Sequence, residues 1–255
     1  MTQTERRIYL IKALLLEQPK YSEIEIPAGE QEQRVLLRSL LNIRMPQPVS
    51  PEFLSVQDAY LQEEIKRKGI TNLADLQPIQ QGIYLWKGDI TTLRCDAIVN
   101  AANSRMLGCF IPCHRCIDNA IHSFSGVQLR ATCEDLMQKQ GHEEKSGTAK
   151  ITPAYNLPCS YVLHTVGPII HGWPTKKDKE LLASCYYSCL ELAEKNAVKS
   201  IAFCCISTGE FHFPQAQAAE IAVQTVKEYH SGIKVIFNVF KEADYSIYRE
   251  LLQTN

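Results

Sequence analysis

The stretch CDAIVNAAN, residues 95–103, is a short apolar run that ends in polar residues. An apolar run of this length, bounded by polar residues, is typical of a buried strand in a parallel sheet. Two further runs, SYVLHTVGP at residues 160–168 and SIAFCCIST at residues 200–208, have the same character. Helical patterns separate these runs, and strands that alternate with helices predict a mostly parallel central sheet with helices on both faces.

Residues 1–75 have a different pattern. Three segments, TERRIYLIKALLLEQ, GEQEQRVLLRSLLNIR and PEFLSVQDAYLQEEIKRKG, carry apolar residues at the three- and four-residue spacing of amphipathic helices. We therefore predict a small N-terminal helical extension over residues 1–75 and an α/β domain over residues 76–255, which opens with a linker at residues 76–81. Within the second unit, residues 117–141 are predicted to form one long helix that ends at its C-terminal glycine.

The composition excludes functions rather than identifying one. The chain has 255 residues, of which 45% are hydrophobic and 22% charged, and its formal net charge is −1. This charge gives no electrostatic argument for binding nucleic acid or a membrane surface. No apolar run approaches the roughly 18 residues of a membrane-spanning helix, and the N-terminal segment lacks a small-residue cleavage site. We expect a cytoplasmic monomer that binds neither nucleic acid nor membrane.

The ten cysteines are expected to be free thiols, because a chain of this length does not need disulfides to hold a core. One cluster stands out, the stretch GCFIPCHRC at residues 108–116. Cys109, His114 and Cys116 have the spacing C-x4-H-x-C, and two thiolates with one imidazole suit Zn²⁺. Three protein ligands leave one tetrahedral position open, as in catalytic zinc sites. A fourth ligand from Cys113 would make a closed, structural site, and a loop without metal is the third alternative.

Three predicted strands end in small polar motifs: GDIT at residues 88–91, NAAN at residues 100–103 and STGEFHFP at residues 207–214. In open α/β sheets, ligands bind beyond the carboxyl ends of the strands. A Ser-Thr-Gly turn can present backbone N–H groups to a diphosphate, and the asparagine carboxamides can bind sugar hydroxyls. Asp89 can accept a hydrogen bond from an exocyclic amine. Each motif alone is also an ordinary turn or cap sequence.

Taken together with AIHSFSG at residues 120–126, the three motifs resemble the macrodomain family of ADP-ribose-binding modules, over a stretch from about Gly82 to the C-terminus. The resemblance implies a three-layer α/β/α sandwich with a mixed, mostly parallel central sheet, preceded here by the helical extension. It also implies that Asp89, with Ile90 beside it, binds adenine, and that Asn100 and Asn103 line the distal ribose. The residues it assigns to the diphosphate turn are Ser207, Thr208, Gly209, Glu210 and Phe211, the last packing on the distal ribose.

Ordinary macrodomains have a triple-glycine loop where this chain has GCFIPCHRC. This loop is similar to that of a zinc-dependent branch of the family, which reads Gly-Cys-Phe, then Pro, then His-x-Cys before IDNAIH. The resemblance implies one Zn²⁺ per chain on Cys109, His114 and Cys116. It further implies a glycosidase-type hydrolase that removes mono-ADP-ribose from proteins by cleaving at the anomeric carbon of the distal ribose. Because this branch is associated with a sirtuin-type ADP-ribosyltransferase and a lipoyl-carrier protein of the glycine-cleavage type, that carrier is the expected substrate.

Two residues near the loop are candidates for the chemistry. We expect Asn103 to orient the ribose. Asp118 matches an acidic position that contributes to hydrolysis in ordinary macrodomain hydrolases, and in this chain it can steer a water or support a zinc ligand. Asp118 can equally be a simple helix cap. His122, eight residues after His114, is interpreted as structural.

Two other functions remain open from the sequence alone. One is a non-catalytic reader of ADP-ribose in which the metal only braces the loop. The other is a hydrolase of a free derivative such as O-acetyl-ADP-ribose. The pocket motifs are the same in all three cases.

Overall fold

The computed structural model describes residues 1–21, 23–229 and 232–253 of the chain. Its α-helices are α1 (Gln3–Leu16), α2 (Glu30–Ile43), α3 (Pro51–Lys68), α4 (Ile117–Ser125), α5 (Val127–Gln140), α6 (Lys176–Lys195), α7 (Gln215–Glu228) and α8 (Glu242–Gln253). Its strands are β1 (Thr71–Asn72), β2 (Pro78–Gln80), β3 (Ile83–Lys87), β4 (Leu93–Arg94), β5 (Ala97–Ala101), β6 (Ala149–Pro153), β7 (Tyr161–Thr165), β8 (Ser200–Phe203) and β9 (Lys234–Val239). Short 3-10 helices cover Pro19–Tyr21, Leu73–Asp75 and Ile90–Thr92. No helix within these described ranges has the length and apolar character needed to cross a membrane.

A seven-stranded sheet in the order β2-β3-β9-β8-β5-β7-β6 forms the centre of the fold. The five inner strands are parallel to one another, whereas β2 and β6 run antiparallel to their neighbours at the two edges. Ile98 and Val99 of β5 and Ile201 of β8 have no exposed surface, as expected for strands covered on both faces. The predicted α/β sandwich with a mixed, mostly parallel sheet and helices on both sides is therefore confirmed.

Both edges of the sheet carry a proline. Strand β2 is three residues long, contains Pro78 and pairs with β3 in an irregular register. The side chain of Gln80 donates a hydrogen bond of 2.6 Å to the carbonyl of Leu252, which fixes this strand against α8. The prediction of a linker at residues 76–81 was therefore wrong. So short a segment shows no alternation in the sequence, and proline is tolerated in a strand only where the N–H is not needed, as at an edge. At the other edge, β6 ends at Pro153.

The N-terminal helices α1, α2 and α3 pack around a hydrophobic cluster of their own. Leu10 and Ile11 of α1 have no exposed surface, and Leu37 of α2 and Phe53 of α3 are almost as deeply buried. The helices begin where the sequence supplies caps, as at Ser50, whose hydroxyl accepts a hydrogen bond from the third residue of α3. The helical part ends at Lys68, and β1 then pairs with β4. A domain boundary at residue 75 remains a prediction.

The predicted helix over residues 117–141 is in fact two helices, because the chain turns sharply at Gly126. Gly126 has φ 101° and ψ 175°, a conformation that only glycine adopts readily. A Cβ at this position would lie 2.6 Å from Gln128 Oε1 and 2.7 Å from Gln57 Nε2. Gln57 Nε2 donates a hydrogen bond of 2.7 Å to Gln128 Oε1, and this bond connects α3 with α5. The turn at Gly126 therefore ends α4 at Ser125 and starts α5 at Val127.

Replacing Gly126 by alanine is expected to lower the free energy of unfolding by about 3 kcal/mol, because a strained backbone conformation adds to disruption of the partly buried Gln57–Gln128 hydrogen bond. Gly141 is the matched control, since its φ of 75° is left-handed but nothing lies within 4 Å of its Cβ position. We expect Gly141→Ala to cost only about 1 kcal/mol. Urea unfolding of the two variants measures the difference, and equal losses would contradict the steric argument.

Candidate functional site

The three sequence motifs meet at one edge of the sheet. The motif GDIT follows β3, NAAN ends β5, and STGEFHFP follows β8, and these three strands are parallel members of the same sheet. Since the carboxyl ends of parallel strands lie at a common edge, this topology places the three motifs at the same edge of the sheet, where ligands bind in other open α/β proteins. The loop between β5 and α4 adds the cysteine-rich stretch.

Asp89 caps the 3-10 helix that follows β3. Its Oδ1 accepts hydrogen bonds from the N–H of Thr91 at 3.0 Å and from the Thr91 hydroxyl at 2.6 Å. Its Oδ2 lies 3.0 Å from Nζ of Lys68, at the end of α3. Burial alone would raise the pKa of Asp89, but the Lys68 charge and the Thr91 hydrogen bonds outweigh it and hold the pKa below its ordinary value. Asp89 is thus an ionised acceptor, with neighbouring Ile90 buried beneath it in the core.

Lys68 was not anticipated from the sequence. Its Nζ stands 3.3 Å from the centre of the Phe124 ring, in addition to pairing with Asp89. Such a cation over an aromatic face is attracted by the ring's electron density. In the sequence, Lys68 looks like an ordinary basic residue in the last turn of a helix, and no local signal relates it to a strand end about twenty residues later.

Asn100, Asn103 and Asp118 form one hydrogen-bonded cluster. Asn100 Nδ2 donates to Asp118 Oδ1 at 2.8 Å, and Asn103 Nδ2 donates to Asp118 Oδ2 at 3.2 Å. Asn100 has no exposed surface, so it reaches the pocket through Asp118, whereas Asn103 is half-buried. Direct contact of either asparagine with a ribose remains a prediction.

Asp118 holds this cluster together and is not the helix cap. The N-cap of α4 is Cys116, whose side chain accepts from the N–H of Asn119. Burial raises the pKa of Asp118 to about 6, although the hydrogen bond from Asn100 and the charge of Arg130 act in the opposite direction. The cap interpretation of Asp118 was therefore wrong, because the carboxylate points to the two asparagines and leaves the helix end to the cysteine.

Cys109, His114 and Cys116 converge in the loop. Their ligand atoms lie within 4.8 Å of one another, and Cys109 Sγ is 3.6 Å from His114 Nδ1. In tetrahedral zinc coordination, sulfur and nitrogen ligands are also about 3.6 Å apart. Burial raises the pKa of the Cys116 thiol to about 12, and the proximity of Cys109 adds to this despite the opposing Asn119 N–H. Two neighbouring thiolates are stable here only beside a cation, so this donor set fits zinc.

Cys113 lies in the same loop but contacts the N-terminal helices instead of the other two cysteines. Its backbone is left-handed, with φ 52°, and its Sγ lies 3.4 Å from the hydroxyl of Ser39 and 3.6 Å from the carbonyl of Val35. These contacts are all with α2. The arrangement favours three protein ligands and an open coordination position over the closed four-ligand alternative.

The turn after β8 supplies backbone donors. Ser207 is buried and has φ 64°, and its carbonyl accepts from the N–H of Phe213 at 2.9 Å. Among the described residues, none accepts a hydrogen bond from the N–H groups of Gly209, Glu210 and Phe211. Consecutive free N–H groups in a turn suit a bound anion. Thr208 is partly exposed in the same turn, with its hydroxyl bonded to the Cys205 carbonyl at 3.0 Å.

Glu210 connects this turn to the cysteine-rich loop. Its Oε1 lies 3.7 Å from Nε2 of His114, the ring nitrogen that does not face Cys109. Metal-binding histidines commonly place their second nitrogen next to a carboxylate, which orients the ring. The diphosphate turn and the loop with the three possible ligands are therefore in direct proximity.

A second group of possible ligands, His122, Cys133 and His164, lies entirely in the core. His164 Nδ1 is 3.2 Å from Asn100 Nδ2, and its Nε2 is 2.9 Å from the hydroxyl of Thr152, so both ring nitrogens already have partners. Burial lowers the pKa of His164 to about 3 and that of His122 well below its ordinary value. Both rings are neutral, which agrees with a structural role for His122 and makes its 3.5 Å approach to Asp118 Oδ1 no ion pair.

A three-layer α/β/α protein with these motifs at the carboxyl edge of its sheet belongs to the open α/β class, in which ligands bind in the loops after parallel strands. The Macro domain family matches residues 99–222 of the chain. Together with the relatives described next, this match shows that the chain belongs to the Macro domain family.

Relatives cover almost the whole chain. A protein-ADP-ribose hydrolase of Treponema medium is 61% identical over 260 residues, which span 99% of this chain and 100% of that protein. A protein-ADP-ribose hydrolase of Staphylococcus aureus strain MRSA252 is 50% identical over 248 residues, covering 95% and 93% of the two chains. Because each alignment covers 95% or more of this chain, most of the segment that forms the N-terminal helices has a counterpart in the sequences of both relatives.

Solved structures agree with the fold. The Trypanosoma brucei macrodomain in complex with ADP-ribose is similar with a TM-score of 0.64 and 28% identity, covering 88% of this chain and 96% of that one. The Oceanobacillus iheyensis macrodomain with ADP has a TM-score of 0.61 and 37% identity, covering 67% and 90%. The macrodomain fold predicted from the strand-end motifs is confirmed.

Proposed function

We propose that this chain is a zinc-dependent hydrolase that removes mono-ADP-ribose from modified proteins by cleaving the bond at the anomeric carbon of the distal ribose. The observation that carries the proposal is the position of the Cys109, His114 and Cys116 group. His114 of this group lies 3.7 Å from Glu210 of the turn, and Cys116 is two residues before Asp118, which is hydrogen-bonded to Asn103. The two relatives named as protein-ADP-ribose hydrolases support the reaction class.

The pocket residues are proposed to divide the substrate between them. Asp89 accepts from the adenine amine, with Ile90 beside the base. Asn103 contacts the distal ribose directly, and Asn100 acts on the ribose site through its hydrogen bond to Asp118. The diphosphate is held by the turn of Ser207, Thr208, Gly209, Glu210 and Phe211. Held at both ends, the substrate has its reactive carbon fixed, which converts binding energy into orientation.

The chemistry is proposed to centre on Asp118 and Asn103. Bound by Cys109, His114 and Cys116, one zinc ion per chain would act as a Lewis acid or lower the pKa of a bound water to about 7. Asn103, fixed by its bond to Asp118, orients the ribose hydroxyls. The Asp118 carboxylate orients the water that attacks the anomeric carbon as the bond to the protein side chain breaks and the sugar becomes oxocarbenium-like.

The proposed partners follow from the same assignment. The substrate is a mono-ADP-ribosylated protein, with a lipoyl-carrier protein of the glycine-cleavage type as the first to test, and ADP-ribose is the product. We propose that the chain acts as a cytoplasmic monomer, without nucleic acid or membrane. The formal net charge of −1 supports only the last part, because it provides no strong electrostatic attraction to nucleic acid or to an anionic membrane surface.

The test is release of ADP-ribose from a modified lipoyl-carrier protein by the purified chain, with a chelator and after zinc is added back. We expect chelation to abolish release, zinc to restore it, and the Kd for ADP-ribose to change by less than about three-fold, because the metal acts mainly on the transition state. Continued release of ADP-ribose by protein from which the chelator has removed all zinc would contradict the metal role. Binding without any release would establish a reader, and faster hydrolysis of O-acetyl-ADP-ribose than of the modified carrier would replace the proposed substrate.

Asp89→Ala is expected to weaken ADP-ribose binding by about 10- to 100-fold, because a hydrogen bond to a charged acceptor contributes about 1.5–3 kcal/mol. Isothermal titration calorimetry measures the change. Asp89→Asn is the control for folding, since it keeps an oxygen to cap the 3-10 helix through Thr91 but loses the charge. Unchanged affinity in the alanine variant would remove the adenine assignment.

A further inference from the structure

The cysteine-rich loop has little internal structure to fix its shape. Residues 108–116 contain no helix or strand, and the one backbone hydrogen bond between two of these described residues runs from the His114 N–H to the Ile111 carbonyl at 3.2 Å. Metal ligands must be held to within a few tenths of an ångström to give a defined coordination geometry. The loop therefore depends on contacts from outside itself.

Helix α2 provides the first of these contacts through Asn42. Asn42 is 1% exposed, and its Oδ1 accepts from the N–H of Cys113 at 2.9 Å. Its Nδ2 donates to the hydroxyl of Ser123 on α4 at 2.8 Å. The buried Asn42 amide thus joins Cys113, the left-handed residue of the loop, to helix α4, which has Cys116 as its N-cap and carries Asp118.

Arg38, one turn earlier on α2, provides the second. Its Nη2 donates to Asn119 Oδ1 at 2.9 Å and to the carbonyl of His114 at 3.3 Å. Asn119 in turn donates from its Nδ2 to the carbonyls of Cys109 at 3.3 Å and Ile111 at 3.0 Å. A continuous chain of hydrogen bonds therefore connects Arg38 with the backbone of two of the three possible metal ligands.

We infer that helix α2 of the N-terminal extension is part of the metal site, with Arg38 and Asn42 as positioning residues that hold the ligand loop in its metal-binding shape. The inference rests on the proposed zinc dependence. It gives the N-terminal helices a specific role, because α2 contacts the ligand loop directly. The contacting residues are more than sixty positions apart in the sequence. Outer contacts of this kind tune metal affinity because they decide how much the ligands must reorganise on binding.

The experiment measures zinc affinity of the full chain by competition with a chromophoric chelator. For Arg38→Ala and for Asn42→Ala we expect affinity to fall by about 10- to 100-fold, the usual effect of removing an outer contact. Cobalt substitution gives a second readout, because a loosened loop alters the thiolate-to-metal absorption bands. Kd for ADP-ribose should change by less than about three-fold, since neither side chain is placed at the nucleotide.

Two further variants keep the result interpretable. Arg34→Ala is the matched control: Arg34 is on the same helix but pairs with Glu30 and Glu64 within the N-terminal unit, so metal affinity should be unchanged. Arg38→Lys keeps a cation with a single donor group and should fall between wild type and alanine. Wild-type zinc affinity and cobalt spectrum in both Arg38→Ala and Asn42→Ala would overturn this inference and leave the proposed function standing. A wild-type chain that binds no zinc would overturn both.

Discussion

Replacing Cys116 by serine is expected to reduce the rate of ADP-ribose release by more than about 100-fold, because a lost metal ligand has a larger effect than the 10- to 100-fold of an outer contact. Serine is chosen because Cys116 is also the N-cap of α4 and serine is a preferred cap, so the helix keeps its start. The variant should lose its zinc while its Kd for ADP-ribose stays within about three-fold of wild type. Single-turnover release and elemental analysis measure the two effects.

Cys113→Ser is the matched control for Cys116→Ser. The two cysteines are three residues apart in one loop, but Cys113 Sγ contacts Ser39 and Val35 of α2 and is not among the converging ligand atoms. We expect this variant to keep its zinc and to retain hydrolysis within about three-fold. Full activity of Cys116→Ser, or an equal loss in both variants, would contradict the three-ligand site.

The second large effect is expected for Asp118→Asn, which should lower the rate of release by about 100- to 1,000-fold, in the range of general acid–base and water-steering groups. The substitution is nearly isosteric, but an amide cannot accept from both neighbours. Asn100 and Asn103 each donate an N–H to one carboxylate oxygen, so one of them would face a second N–H group. Loss of the Asp118 charge and loss of one hydrogen bond should therefore both slow the hydrolytic step that releases ADP-ribose.

Three measurements separate catalysis from folding in Asp118→Asn. The free energy of unfolding should fall by no more than about 2 kcal/mol, the cost of one unsatisfied buried donor. Kd for ADP-ribose should remain within about five-fold, since the effect is expected in the transition state. Asp135→Asn, on an exposed face of α5, should behave as wild type. Release by Asp118→Asn at a rate close to wild type would reduce Asp118 to a structural residue.

The sequence was sufficient for the layout of the site because parallel strands share an edge. Once the runs that contain Leu85, Val99 and Ile201 are read as parallel strands of one sheet, the motifs that follow them have to converge. The ligand group Cys109, His114 and Cys116 was equally accessible, since all three lie within eight residues of one another. These features depend on local order along the chain, which a single sequence preserves.

Features that depend on packing between distant segments were not predictable. Nothing near Lys68 or Arg38 in the sequence indicates that these side chains reach Asp89 and Asn119, because each lies on the polar side of an ordinary amphipathic helix. The break at Gly126 was missed because an isolated glycine is tolerated inside a helical pattern. Only the crowding by Gln57 and Gln128 shows why the chain must turn there.

The two edges of the central sheet have a consequence for how other proteins approach this one. An open sheet grows when a foreign strand pairs with its outermost backbone, and here the outermost strands are a three-residue segment containing Pro78 and a strand ending at Pro153. Neither offers a long, regular row of free N–H and C=O groups as a template. We therefore expect the proposed ADP-ribosylated protein to be recognised by loops and side chains around the site, and not by pairing of its own backbone with the sheet.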